Sequence, residues 1–252
     1  MNDAPKLDAA VLIIGDEILS GRTQDVNLTA IARFLAPLGI DVAEARVVPD
    51  IQDEIVAAVN ALRKRYCYVF TTGGIGPTHD DITADAIGAA FGLPVMHNET
   101  AMAMLAARYA PGEFNDKRQR MARMPEGATM IRNSISVAPG FQIGNVFVLA
   151  GVPKIMLAML EDVAPRLQAG APVISRSLKL ALPEGRIAAA LEAIQNAHPD
   201  LRIGSYPFFA SPGVGVGTTL VVRGRDTAEV DMAAKEIAVM AASFGSMAVP
   251  VE

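Results

Sequence analysis

The sequence predicts an α/β fold, a mostly parallel sheet with helices on both faces, followed by a small α+β domain. Short apolar runs alternate with helix-period segments up to Thr72, a β-α-β-α-β order that favours parallel pairing through right-handed crossovers. The third apolar run empties into a glycine-rich loop, Thr71-Thr72-Gly73-Gly74-Ile75-Gly76-Pro77-Thr78-His79-Asp80-Asp81, as expected at the carboxyl edge of such a sheet. At Gln168-Ala169-Gly170-Ala171-Pro172 a small-residue connector intervenes and the order changes to βαββα, dividing residues 1–169 from 172–252.

Each element has a local reason. Ala9 to Gly15 is a short apolar strand leading into Gly15-Asp16-Glu17-Ile18-Leu19-Ser20-Gly21. From Asp25 to Leu38, the residues Leu28, Ile31, Ala32, Leu35 and Leu38 recur at helical spacing, and Gly39 ends that helix. Ile40 to Val48 reads as a second strand. Asp50 is placed to cap a helix that carries Ile55, Val59 and Leu62 on one face, and Tyr66 to Thr72 is the third strand. The loop then leads into a helix from Ile82 to Phe91. Further helices are expected over Asn98–Tyr109, Asn115–Arg123 and Val152–Leu167, with a short strand over Ala128–Ile131 and a hairpin over Phe141–Leu149 that turns at Gly144-Asn145. Beyond the connector come a strand (Val173–Leu180), a helix (Pro183–His198), two strands (Leu201–Phe208 and Val216–Arg223) and a helix (Asp226–Phe244).

Composition narrows the function classes. A chain of 252 residues, 51% hydrophobic, can bury one large core or two smaller ones. The net charge of −5 argues against a broad nucleic-acid footprint. The single cysteine, Cys67, leaves no disulfide framework and no cysteine-rich zinc site. No run approaches ~18 consecutive apolar residues, and Met1 to Asp8 has no apolar signal core, so a soluble cytoplasmic protein without membrane contact is expected.

The glycine-rich loop carries most of the chemistry. Small residues leaving a strand expose backbone N–H groups beside the next helix's N-terminus, which is a place for phosphate. Two carboxylates next to such a site repel phosphate unless a hard cation bridges them, so Asp80 and Asp81 imply Mg²⁺, with Mn²⁺ or Co²⁺ as alternatives. Gly15-Asp16-Glu17 lies at another strand's carboxyl end and can face the same pocket. Duller readings stand beside these. Either aspartate could cap the following helix, and Asp16 and Glu17 could form a solvated turn. His79 is either an acid/base group or loop lining, while His97 and His198 show no ligand spacing and read as structural. Lys154 could meet a terminal phosphate or remain a surface charge. Asn27 and Asn133 could touch ligand or organise the backbone. Ser211 to Gly217 is phosphate-loop-like in composition only, because it precedes a strand, and reads as a hairpin connection.

Gly15-Asp16-Glu17-Ile18-Leu19-Ser20-Gly21, the loop from Thr71 to Thr83 and Ala138-Pro139-Gly140-Phe141 together resemble the MoaB/Mog molybdopterin-binding fold, and most closely the N-terminal part of CinA-type competence/damage-inducible proteins. The second domain, with Ile203-Gly204-Ser205-Tyr206-Pro207, looks like the small KH-like module that follows in those proteins. The resemblance implies chemistry at a phosphoanhydride. One branch binds molybdopterin and adenylylates it, and the other is described as metal-dependent pyrophosphatases acting on ADP-ribose and related dinucleotides.

For hydrolysis the resemblance implies that Asp80 and Asp81 hold the cation. Asp81 matches the aspartate of the Mog-type motif, with Asp16 as further ligand or water-orienting base. Gly73, Gly74 and Gly76 would admit phosphate to backbone donors, Thr78 and Thr83 would add hydroxyls, and no covalent nucleophile is required. Two stretches depart from the family pattern. Asn-Pro-x-Gly-Thr-Ala-Pro-Gly reads Asn133-Ser134-Ile135-Ser136-Val137-Ala138-Pro139-Gly140, and Pro-Gly-Val-Pro-x-Glu-Met reads Ala150-Gly151-Val152-Pro153-Lys154-Ile155-Met156. These changes bear on which nucleoside or pterin is gripped, and keep binding without turnover as an alternative. The amidohydrolase domain of longer relatives has no counterpart in these residues, so nicotinamide-nucleotide deamidation is not expected. Relatives of this fold form dimers or trimers, which implies a homo-oligomer. RNA binding through the second domain is the weakest reading, since residues 171–252 hold seven Lys and Arg against eight Asp and Glu, with no GxxG clamp.

Overall fold

A computed structural model describes residues 7–209 and 216–251. The Ser211–Gly215 part of the expected hairpin connection lies outside them. The chain divides into two compact units, residues 1–170 and 171–252.

In the first unit the order is β1 (Asp8–Ile14), α1 (Asp16–Leu19), α2 (Asn27–Leu35), β2 (Asp41–Val48), α3 (Gln52–Arg65), β3 (Tyr68–Thr72), α4 (Thr83–Phe91), β4 (Val95–His97), α5 (Glu99–Ala106), α6 (Asp116–Gln119), β5 (Arg123–Pro125), β6 (Thr129–Ile131), β7 (Gly140–Ile143), β8 (Val146–Leu149) and α7 (Pro153–Val163). Six strands form one sheet in the order β2-β1-β3-β8-β7-β6. The first four run parallel, while β7 and β6 add antiparallel pairs at one edge. The long helices expected over 98–109 and 115–123 are shorter. On either side of them the chain spends Val95–His97 and Arg123–Pro125 on a separate two-stranded ladder, too short to leave a periodic signal.

Two cores sandwich the sheet. In β1, Ala10, Leu12 and Ile14 face one layer with Ile55, Val59 and Leu62 of α3 and Ala86 and Ile87 of α4. Ala9, Val11 and Ile13 face the other, with Ile31 and Leu35 of α2 and Met156, Met159 and Leu160 of α7. A strand buried on both sides reads as an unbroken apolar run because alternate side chains enter two cores. Phe70 and Phe147 stack in the second core with ring centroids 5.1 Å apart. The connection from β1 leads to α2 on one face, that from β3 leads to α4 on the other, and β1 and β3 are neighbours. Their loops therefore diverge, opening a crevice at the sheet's carboxyl edge.

The second unit runs β9 (Ile174–Leu180), α8 (Glu184–Ala197), β10 (Arg202–Phe209), β11 (Val216–Gly224), α9 (Thr227–Ser243) and β12 (Ala248–Val251). Its antiparallel sheet has the order β10-β11-β9-β12. The expected order was one strand short: β12 pairs with β9 and completes a βαββαβ, or split βαβ, arrangement. Leu178 and Leu180 of β9 and Leu220 and Val222 of β11 share one core with Ile187 of α8 and Val230 and Ile237 of α9, so both helices cover the same sheet face. Asp226 caps α9 by accepting from the amides of Ala228 and Glu229. His198 is buried between Glu229 and Glu236, with ring nitrogens 3.5 and 3.2 Å from their carboxylates. No helix of the described residues is long and apolar enough to cross a membrane.

Candidate functional site

The crevice at the β1/β3 switch is built by three adjacent strand ends. Leaving β3, Gly73 passes so close to the end of β1 that a Cβ there would lie 2.1 Å from the Ile14 carbonyl oxygen, and its φ of +106° belongs to glycine. Gly74, at φ +66°, has the Thr83 hydroxyl where a Cβ would be. The loop is anchored from below. The Gly73 amide donates to the Leu149 carbonyl at 3.2 Å, the Thr83 amide to the Gly74 carbonyl at 3.0 Å, and the Thr83 hydroxyl to the Gly73 carbonyl at 3.0 Å. Thr83 is fully buried, so it braces the loop and offers no hydroxyl to a ligand, contrary to the expectation for it. The amides of Gly74, Ile75 and Gly76 take no partner among the described residues. They are the donors that a phosphate would need.

Asp81 is engaged within the loop. Its Oδ2 accepts from the Thr78 amide at 2.7 Å and from the Thr78 hydroxyl. That folds the loop back on itself and brings its carboxylate to where a Cβ on Gly76 would clash, at 2.6 Å. Asp80 is exposed, and Thr78's hydroxyl, then Asp80's own amide, hold its carboxyl below the usual aspartate range. His79 projects into solvent with its Nδ1 3.8 Å from Asp80.

Asp50 is the residue that sequence reasoning misplaced. It does not cap α3, whose first residue is preceded by Ile51 with no side-chain cap. Instead its Oδ2 accepts the Asp16 amide at 3.0 Å, joining the ends of β2 and β1. Burial raises its carboxyl above the ordinary aspartate range. The Asp16 amide opposes that shift, and the charges of Asp16, Glu17 and Asp80 reinforce it. A signal was present, since Asp50 follows a strand that neighbours β1. Its short range to an apolar helix favoured the capping reading.

An open cleft of about 340 Å³ is lined by Gly15, Glu17, Arg22, Asp50, Gly74, Asp80 and Asp81, among others. Gly15 and Gly74, almost sixty positions apart, therefore face one cavity. Glu17 lines it, while Asp16 reaches the site through its amide and its charge on Asp50. Among the described residues no three His, Cys, Asp or Glu side chains converge to hold a metal unaided. The carboxylates lining the cleft suit a hard cation taken by one or two of them together with phosphate oxygens, which would offset the negative charges around Asp50.

Two of the remaining candidates hold the backbone through hydrogen bonds. Asn27 is buried and donates to the Gly151 carbonyl at 2.7 Å, tying α2 to the start of α7. Asn133 donates to the Ala138 carbonyl and accepts from the amides of Ile135 and Ser136, so it shapes its own loop. In that loop Val137 holds φ +66°, a conformation foreign to a β-branched residue. Lys154 is exposed at the first turn of α7.

Comparison with known proteins agrees with this geometry. Residues 10–169 match the family described as "Probable molybdopterin binding domain", and residues 172–246 match "FAD synthase, middle domain". A protein from Pyrobaculum arsenaticum is 36% identical over 224 residues, covering 84% of this chain and 83% of that one. A CinA-like protein of Syntrophotalea carbinolica is 36% identical over 168 residues, covering 64% of this chain and 41% of its own. The crystal structure of CinA from Thermoplasma acidophilum, titled as of unknown function, superposes with a TM-score of 0.60 at 34% identity over 63% of this chain and 96% of that one. With the MoaB/Mog-like domain spanning most of its length and CinA among its structural neighbours, the chain belongs to the CinA-type molybdopterin-binding family.

Proposed function

We propose that the first unit is a metal-dependent pyrophosphatase acting on ADP-ribose-like dinucleotides. The observation that carries it is one cleft lined by Gly74 and by Glu17, Asp50 and Asp80, whose Gly74 wall continues into a loop with the unpartnered amides of Gly74, Ile75 and Gly76. Neutral donors and acids so placed have a joint use when the ligand is a phosphoanhydride and a cation accompanies it. The match of the second unit to a domain of FAD synthase, an enzyme named for a dinucleotide, supports the same class.

In this reading Asp80 and Asp50 hold the cation, which when bound supplies charge neutralisation and acidifies water. The loop amides bind the phosphate oxygens, and the N-terminus of α4 adds its positive dipole end. Asp81 acts through Thr78, fixing the turn that aims Gly76 and Asp80. Purified protein is incubated with ADP-ribose or FAD and Mg²⁺, Mn²⁺ or Co²⁺, and AMP release is compared among wild type, Asp80→Asn and Asp81→Ala. Metal-dependent release lost in both variants supports the proposal, and no release from wild type with any metal refutes it.

A second reading, retention of a pterin without turnover, is favoured by the family's description and by the altered loop from Asn133 to Gly140. Pterin that stays bound to wild type while no dinucleotide is cleaved selects it.

A further inference from the structure

We propose that Arg120 is a phosphate-binding residue of this cleft and that it restricts the site to ligands carrying two adjacent phosphoryl groups. The inference rests on the functional reading above and adds a residue that neither the loop motif nor the family resemblance singles out.

Arg120 follows α6 and reaches the end of the loop at Asp81. One of its terminal nitrogens donates to the Asp81 carbonyl at 3.2 Å. Its Nε is buried without any hydrogen-bond partner. A buried donor left unpaired is costly, and one belonging to a guanidinium more so, so this group gains when an anion meets it. Its neighbour gives the contrast. Arg123 lies on the same slot but is spent on Asp85, to which it donates at 3.0 and 2.5 Å, whereas Arg120 forms no ion pair among the described residues.

The slot that Arg120 lines lies between Gly74-Ile75-Gly76 and Phe141, and its volume is about 10 Å³. That is room for about one water-sized group, so it admits a single phosphoryl oxygen and no whole phosphate. The slot and the acidic cleft share Gly74 and Asp81 as walls. A phosphate seated by way of a cation on the acidic side therefore leaves Arg120 facing the phosphate bonded to it. Guanidinium suits that second group because it stays charged and donates along a planar fork. A lone phosphate cannot occupy both sides.

The test uses the full chain, inorganic pyrophosphate and inorganic phosphate as probes, and Mg²⁺ in both cases, with affinities from calorimetry. Wild type is expected to prefer pyrophosphate by about tenfold or more, the worth of one charge-assisted hydrogen bond. Arg120→Ala removes that preference while phosphate affinity and melting temperature hold, and Arg120→Lys restores part of it. A preference that survives in Arg120→Ala overturns the role of Arg120 and leaves the reading of the cleft standing. An equal loss of both anions with a lowered melting temperature makes the residue a brace and also overturns it. If wild type binds neither anion, the proposal and the reading beneath it fail together.

Discussion

Replacing Gly73 with alanine tests how the cleft is built. The new methyl would lie 2.1 Å from the Ile14 carbonyl oxygen, which is backbone in the middle of the sheet and cannot swing aside. The residue would also have to hold φ +106°. The conformational part alone costs about 1–2 kcal/mol, and relieving the clash means separating the ends of β1 and β3. A total of roughly 3 kcal/mol or more is expected, lowering the melting temperature of the first unit by about 6–12 °C at some 2–4 °C per kcal/mol. Gly92→Ala is the control, because Gly92 has φ +66° and nothing within 4 Å of a Cβ, so only the conformational cost applies. Scanning calorimetry of both variants, with the transition of the second unit as internal reference, separates the two costs. Equal losses in the two variants would refute the close approach of the strand ends.

Three further outcomes follow from other parts of the chain. Asp50 has a carboxyl raised in the folded state above the ordinary value of 3.8, so its contribution to stability is full below that value and is lost as pH rises through the folded pKa. Asp50→Asn, whose side chain can still accept the Asp16 amide, should therefore match wild type near pH 3 and exceed it at pH 7, read from melts across that range. Val137→Gly should stabilise by about 1 kcal/mol, since removing left-handed strain of roughly 1–2 kcal/mol outweighs the glycine entropy cost of about 0.5–1 kcal/mol; urea unfolding measures it, and a loss of stability contradicts it. Phe147→Ala, at a fully buried ring stacked on Phe70, should cost about 3–5 kcal/mol in the same assay.

Much of this architecture was legible because its determinants are local. Ile55, Val59 and Leu62 mark one helix face, and Gly39, at φ +70°, ends its helix as an unhindered residue should. Gly73-Gly74-Ile75-Gly76 reads as a turn with free amides, and those of Gly74, Ile75 and Gly76 take no partner among the described residues, while that of Gly73 is bonded to Leu149. What stayed hidden depends on distant partners. Asp50 bonds an amide 34 residues away, and from the sequence its position before an apolar helix is indistinguishable from a cap. Thr83 was read as a ligand hydroxyl because its burial under Gly73 is a tertiary fact. β12, four residues long, largely exposed and interrupted by Pro250, carries too short a signal to read and is a strand because β9 offers it an edge. Arg120 carries its meaning in an unpaired nitrogen, which no spacing rule detects.

The burial of β1 on both faces has a consequence for how the chain finds its alignment. Polarity cannot choose between the two ways of inserting Ala9 to Ile14, since a slip by one position exchanges one oily layer for another. The choice falls to side-chain volume and to pins at the ends: Asp8, whose carboxylate accepts the Cys67 amide at 3.1 Å, and Gly15, whose amide meets the Val48 carbonyl at 3.1 Å. A single inserted residue between those pins would leave the hydrophobic content untouched. It would nonetheless carry Gly15 past Asp50 and pull the acidic wall out of alignment with the amides across from it.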